Sequence, residues 1–82
     1  MNITQNQLST LKQLSEKLIR ETPSLRSTIE VVMKEVCAVH SNGGDISEEI
    51  YRVMIDSVPW ESDFYRYFFS EIAMPKGRAR KT

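Results

Sequence analysis

Apolar residues recur along most of the chain at spacings of three and four, the pattern of helices that bury one face. The first such stripe predicts a helix from about Gln5 to Arg20. Thr4 is its expected N-cap, because Gln7 stands three residues later and completes a capping box. The apolar side of this helix consists of Leu8, Leu11, Leu14 or the neighbouring Ser15, Leu18 and Ile19.

A second helix is predicted to begin at Thr22 and Pro23, since proline suits the first helical position and threonine can cap it. The segment 41–44, Ser-Asn-Gly-Gly, is expected to end it, because glycine and asparagine adopt the left-handed conformation that closes a helix. Its apolar stripe consists of Leu25, Ile29, Val32, Met33, Val36 and Val39.

A third helix is predicted from Asp45, with Glu48 in the capping-box position, to Pro59, which pushes the preceding residue out of helical geometry. Its apolar side consists of Ile46, Ile50, Val53, Met54 and Val58. The connections on either side are short, as between antiparallel neighbours in a bundle.

The fourth helix is predicted to open with Pro59 and to stop at Pro75. Aromatic residues are concentrated here, so a strand over 64–69 is the competing prediction. We prefer a helix, because the apolar run does not alternate and no other segment offers a partner strand. The chain is therefore expected to be all-α, a small four-helix bundle with short loops over residues 1–75.

Length, cysteine content and charge add three constraints. A chain of 82 residues builds one small core. Cys37 is the only cysteine, so no intramolecular disulfide forms, which fits a reducing compartment. With no signal-peptide pattern and no apolar run of membrane length, we expect a cytoplasmic protein without membrane contact.

Residues 1–75 carry a net charge of −4 and residues 76–82 carry +4. An acidic domain is therefore followed by a basic tail, which we expect to be disordered.

Every aromatic residue except Tyr51 lies on the fourth helix, in a stripe too wide for one core-facing side. One interpretation is that this helix is central and surrounded by the other three. The other is that part of the stripe is exposed and binds another chain, with a homodimer as the simplest version. The partner-binding residues predicted on this basis are Trp60, Phe64, Tyr65, Tyr67 and Phe69.

Two charged groups are candidate contacts. An acidic patch of Asp45, Glu48, Glu49 and Asp56 would suit a basic protein partner, although helix capping accounts for several of these carboxylates. The basic tail supports the alternative function of a weak nucleic-acid-associated regulator, since lysine and arginine contact phosphates. Its contact residues would be Lys76, Arg78, Arg80 and Lys81.

Enzymatic chemistry has little support in the sequence. Cys37 and His40 are three residues apart on one helix, but two ligands do not make a zinc site and a helix surface provides no cleft. We therefore expect no enzyme, no metal and no cofactor. A helix-turn-helix is disfavoured because its second helix would begin with carboxylates that repel phosphate. The leading prediction is a non-enzymatic helical protein-protein interaction module, such as an adaptor, inhibitor or regulatory protein.

Overall fold

The computed structural model describes residues 3–72, and in this part of the chain every regular element is helical. The predicted all-α four-helix fold is confirmed, and the alternative of a strand over 64–69 is wrong. A 3₁₀ turn, Pro23–Leu25, precedes the second helix and a π-turn, Phe68–Ile72, continues the fourth. The helices are α1, Gln5–Glu21; α2, Arg26–Asn42; α3, Glu48–Ser57; and α4, Asp63–Tyr67.

The start of α1 is as predicted, whereas α2 starts later. The Thr4 hydroxyl accepts a hydrogen bond from the Gln7 N–H at 3.0 Å, and the Gln7 side chain accepts one from the Thr4 N–H at 2.9 Å. This reciprocal pair is the expected capping box. At the second helix, Thr22 makes no side-chain cap, and residues 23–25 form the 3₁₀ turn instead of the first α-helical turn. The α-helix proper begins at Arg26.

The predicted capping box of Asp45 and Glu48 at the start of α3 is wrong. The helix begins at Glu48 with Ser47 as N-cap residue, and the Ser47 N–H donates to Glu35 Oε2 on α2 at 2.9 Å. Gly43 and Gly44 have φ of 80° and 97°, which turns the chain and leads Ile46 into the core before the helix begins. A carboxylate from another helix thus binds the residue that precedes α3.

The predicted start of the fourth helix at Pro59 is also wrong. Residues 59–62 form a turn in which the Ser62 hydroxyl donates to the Pro59 carbonyl at 2.7 Å. The same hydroxyl oxygen accepts from the Tyr65 N–H at 3.2 Å, so Ser62 is the N-cap and α4 begins at Asp63. A serine side chain that satisfies a free N–H of the first turn stabilises this later start.

The core lies between the four helices, and α4 is not surrounded by the other three. Helix α1 packs against α2 and α4, and α2 packs against α3. Aromatic side chains connect α3 to α4: the rings of Tyr51 and Phe68 meet edge to face with centroids 6.3 Å apart. The largest fully buried side chains are Phe64, Phe68, Leu11, Ile29, Met54, Val32 and Val36.

Because a π-turn follows α4, Phe64, Phe68 and Ile72 all face the core. In an α-helix, four residues turn the chain by more than one full turn, so Phe68 lies slightly to one side of Phe64. A π-turn contains more residues per turn, and the next four residues fall short of a full turn. Ile72 therefore returns to the buried side. The Gln7 side chain donates to the Glu71 carbonyl at 3.1 Å and ties this turn to the start of α1.

The predicted basic tail, Lys76, Arg78, Arg80 and Lys81, lies outside the described residues, as does the predicted domain boundary at residue 75. Within residues 3–72, none of the helices combines the length and the apolar character that crossing a bilayer requires.

We predict that Phe68→Ala lowers the free energy of unfolding by about 3–5 kcal/mol, because it removes a fully buried ring from a small core. Urea denaturation followed by circular dichroism measures the change. Phe69→Ala, at a half-buried position on the same turn, is the matched control and should cost clearly less. Equal losses at the two positions would contradict the observed packing.

Candidate partner-binding surface

The structure separates the five aromatic residues predicted to bind a partner. Phe64 is 1% exposed and belongs to the core, so its assignment to a binding surface is wrong. Tyr65 and Phe69 lie one turn apart on the flank of α4 that faces α3, and both are half-buried. Tyr67 lies on the opposite flank, beside α1. Trp60 lies in the connection between α3 and α4 and is 65% exposed.

A stack of rings crosses from α4 to α3 on the first of these flanks. The Tyr65 and Phe69 centroids are 4.7 Å apart, and Phe69 stacks on Tyr51 of α3 at 6.2 Å with an interplanar angle of 29°. Phe69 also meets the buried Phe68 edge to face at 5.1 Å. The outer rings are therefore held in place by the core ring beneath them, which gives a preorganised aromatic surface.

Two exposed apolar residues lie at the same end of the bundle as Tyr65. Ile55 is 60% exposed and follows Tyr51 by one turn of α3, so the two are neighbours on that helix. Ile55 is in the last turn of α3 and Tyr65 in the first turn of α4, so both lie at the same end of the bundle as Trp60. We call the set of Tyr51, Ile55, Trp60, Tyr65 and Phe69 the aromatic face.

Two members of the aromatic face were absent from the sequence prediction. Tyr51 lies outside the fourth helix in the sequence, and only the fold brings it to Phe69. Ile55 could have been identified from the sequence, because it is an apolar residue that falls outside the apolar stripe of its own helix. Such a residue is either exposed or in contact with another chain.

Exposed acidic side chains lie on α3, the helix that carries Tyr51 and Ile55. Glu48 and Glu49 are exposed in the first turn of this helix, and Asp56 is exposed two turns later, next to Ile55. Arg52 lies one turn from Glu48 and one turn from Asp56, so the exposed side of α3 has net negative charge. Asp45, the fourth residue of the predicted patch, is exposed in the loop before the helix.

Tyr67 belongs to a different environment. It lines a shallow groove between α1 and α4 together with Leu14 and Arg66. Nearby, Lys17 of α1 forms an ion pair with Asp63 at 3.4 Å, with both side chains more than half exposed. Such a pair contributes little stability. Tyr67 therefore covers the α1–α4 contact and is not continuous with the aromatic face.

Cys37 and His40 have separate surroundings although they are close in sequence. His40 Nδ1 lies 2.7 Å from the Ile3 carbonyl, which accepts its hydrogen and fastens the start of the chain to the end of α2. Cys37 lines a groove between α1 and α2. Among residues 3–72, no group of three or more His, Cys, Asp and Glu side chains is arranged to hold a metal ion.

Comparisons with models of protein families, with curated proteins and with solved structures found no match for this chain.

We predict that acrylamide efficiently quenches the fluorescence of Trp60, the only tryptophan, in the native protein, because this residue is 65% exposed. Its fluorescence maximum should lie close to that of indole in water and shift little on unfolding in urea. Strong protection from quenching in the isolated monomer would show that the connection between α3 and α4 is folded onto the core instead.

Proposed function

We propose that this protein is a non-enzymatic helical module that binds another protein through the aromatic face. The observation that carries the proposal is that Ile55 and Trp60 are both more than half accessible and lie at the same end of the bundle as Tyr65, the first ring of the stack. A small acidic domain of this kind would act as an adaptor, an inhibitor or a regulatory protein in the cytoplasm, where a lone thiol stays reduced.

The composition of the aromatic face supports a protein partner. Tryptophan and tyrosine are enriched among the residues that dominate binding energy, and contiguous exposed apolar patches mark interaction sites more often than isolated apolar residues do. Phe68 contacts two rings of the stack, Phe69 and Tyr51, and Phe69 in turn contacts Tyr65. Because rings held in place lose little side-chain entropy on association, such a surface binds at low cost.

The charges beside the aromatic face indicate a basic partner. Glu48, Glu49 and Asp56 would attract a segment that carries lysine or arginine next to an apolar anchor. The same charges weigh against a homodimer through this face, since two copies meeting there would bring carboxylates together. Binding should weaken with added salt, because exposed charges are screened.

Nucleic-acid binding through the tail stays the alternative, with no observation among residues 3–72 that favours it. That part of the chain holds 7 lysine and arginine residues against 11 aspartate and glutamate residues. Its net negative charge repels phosphates, so such binding would depend on Lys76, Arg78, Arg80 and Lys81 alone.

The proposal is tested by affinity capture from a lysate of the source cell, with and without nuclease. We predict that the wild type retains a discrete protein and that the double variant Ile55→Ser/Trp60→Ser loses it. Loss of two central apolar contacts should weaken binding at least tenfold. Both positions are exposed, so the free energy of unfolding should change by no more than about 0.5 kcal/mol each.

Val31→Ser is the matched control, because Val31 is also an exposed apolar residue, 52% accessible, but lies on α2, which contributes no residue to the aromatic face. It should capture the same protein as the wild type. Equal capture by all three proteins would refute binding through the aromatic face. Capture that disappears with nuclease would favour the nucleic-acid alternative.

A further inference from the structure

A second surface lies on the outer side of the α1–α2 pair and consists of an apolar groove with charged residues along its rim. A groove of about 260 Å³ runs between the two helices, with Ile19, Ile29 and Met33 providing its apolar lining. The groove exists because Ser15 occupies a position on the inner side of α1 where larger residues stand one turn away at Leu11 and Leu18. The Ser15 hydroxyl donates to the Lys12 carbonyl at 2.6 Å and so adds no free donor to the groove.

Four charged residues on the rim of the groove follow a regular order. Helices α1 and α2 are adjacent and joined by a short connection, so they run in opposite directions. Glu16 and Glu30 therefore lie toward the end near the connection, and Lys12 and Lys34 lie about 6 Å further along. One half of the rim is negative and the other half is positive.

These charges are available for contacts with another chain. Within residues 3–72, Lys12, Glu16 and Lys34 form no ion pair, and Glu30 has a long 3.8 Å pair with Arg26 in which both side chains are well exposed. An exposed pair of this kind is weak and readily exchanged for another. The charged side chains on the rim can thus form ion pairs with another chain.

We propose that this groove binds the same groove of a second copy of the chain, related by a two-fold axis that passes near Met33 and crosses the groove at right angles. A two-fold rotation about that axis exchanges the two ends, so the glutamates of each copy lie over the lysines of the other. A copy docked without that exchange would bring like charges together. The order of charges therefore favours this isologous arrangement, with Met33 near its centre and Ile19 toward the end of the groove that lies near the connection.

The dimer is expected to be weak. The groove offers only a few apolar side chains, whereas interfaces that hold stable complexes bury roughly 800 Å² on each partner. It leaves the aromatic face of each copy uncovered, so the dimer would present two such faces to a partner. The inference is independent of the proposed function, since neither surface needs the other.

Sedimentation equilibrium of the full chain over a wide concentration range tests the proposal. The wild type should dimerise, and Glu16→Lys/Glu30→Lys and Lys12→Glu/Lys34→Glu should each dimerise at least tenfold more weakly. An equimolar mixture of the two variants should form a heterodimer, because one groove is then positive throughout and the other negative. All four positions are exposed, and circular dichroism verifies that both variants are folded.

Three outcomes would overturn the inference. The wild type could stay monomeric at every concentration, the charge variants could dimerise as the wild type does, or their mixture could fail to associate. The control Ile55→Ser/Trp60→Ser should dimerise normally. If that variant alone abolishes the dimer, the two copies meet through the aromatic face, and the groove between α1 and α2 is not the interface.

Discussion

The burial of Phe64 and Phe68 at the centre of a small core is the constraint on which the rest of the structure depends. An α-helix can turn only one side toward a core, and here these two rings together with Ile72 occupy it. The remaining aromatic residues of α4 are consequently left on its flanks. Tyr65 and Phe69 lie on the flank toward α3, where Tyr51 meets them, and Tyr67 lies toward α1. The core therefore determines which rings remain available at the surface.

The sequence predicted the helices well where the signals are local. The reciprocal bonds of Thr4 and Gln7 appear as expected, and α2 ends at the glycines with positive φ. The starts of α3 and α4 were misplaced because they depend on contacts outside the predicted caps. At α3, Glu35 from a different helix accepts the N–H of Ser47, the N-cap residue, and no pattern within residues 45–48 encodes that contact. Ser62 caps α4. Because serine is a favoured N-cap residue, the sequence could have indicated a helix start at Ser62 instead of Pro59.

The binding surface could be predicted only in part. Composition placed Trp60, Tyr65 and Phe69 in one candidate group, but the period of the helix alone does not show which side faces the core. Tyr51 joins the group through a contact that depends on how α3 and α4 pack. Phe64, which shares their aromatic character, differs from them only in its position relative to the core. A wide apolar stripe on one helix thus predicts that some residues remain exposed without indicating which ones.

The most direct test of the account is photo-cross-linking in the source cell, with a photoreactive amino acid placed at position 55 or at position 31. Both positions hold exposed apolar side chains, so the two probes differ in location and not in accessibility. The account predicts a cross-link to a discrete basic protein from position 55 and none to that protein from position 31. Cross-links to the same protein from both positions, or from position 31 alone, would contradict binding through the aromatic face.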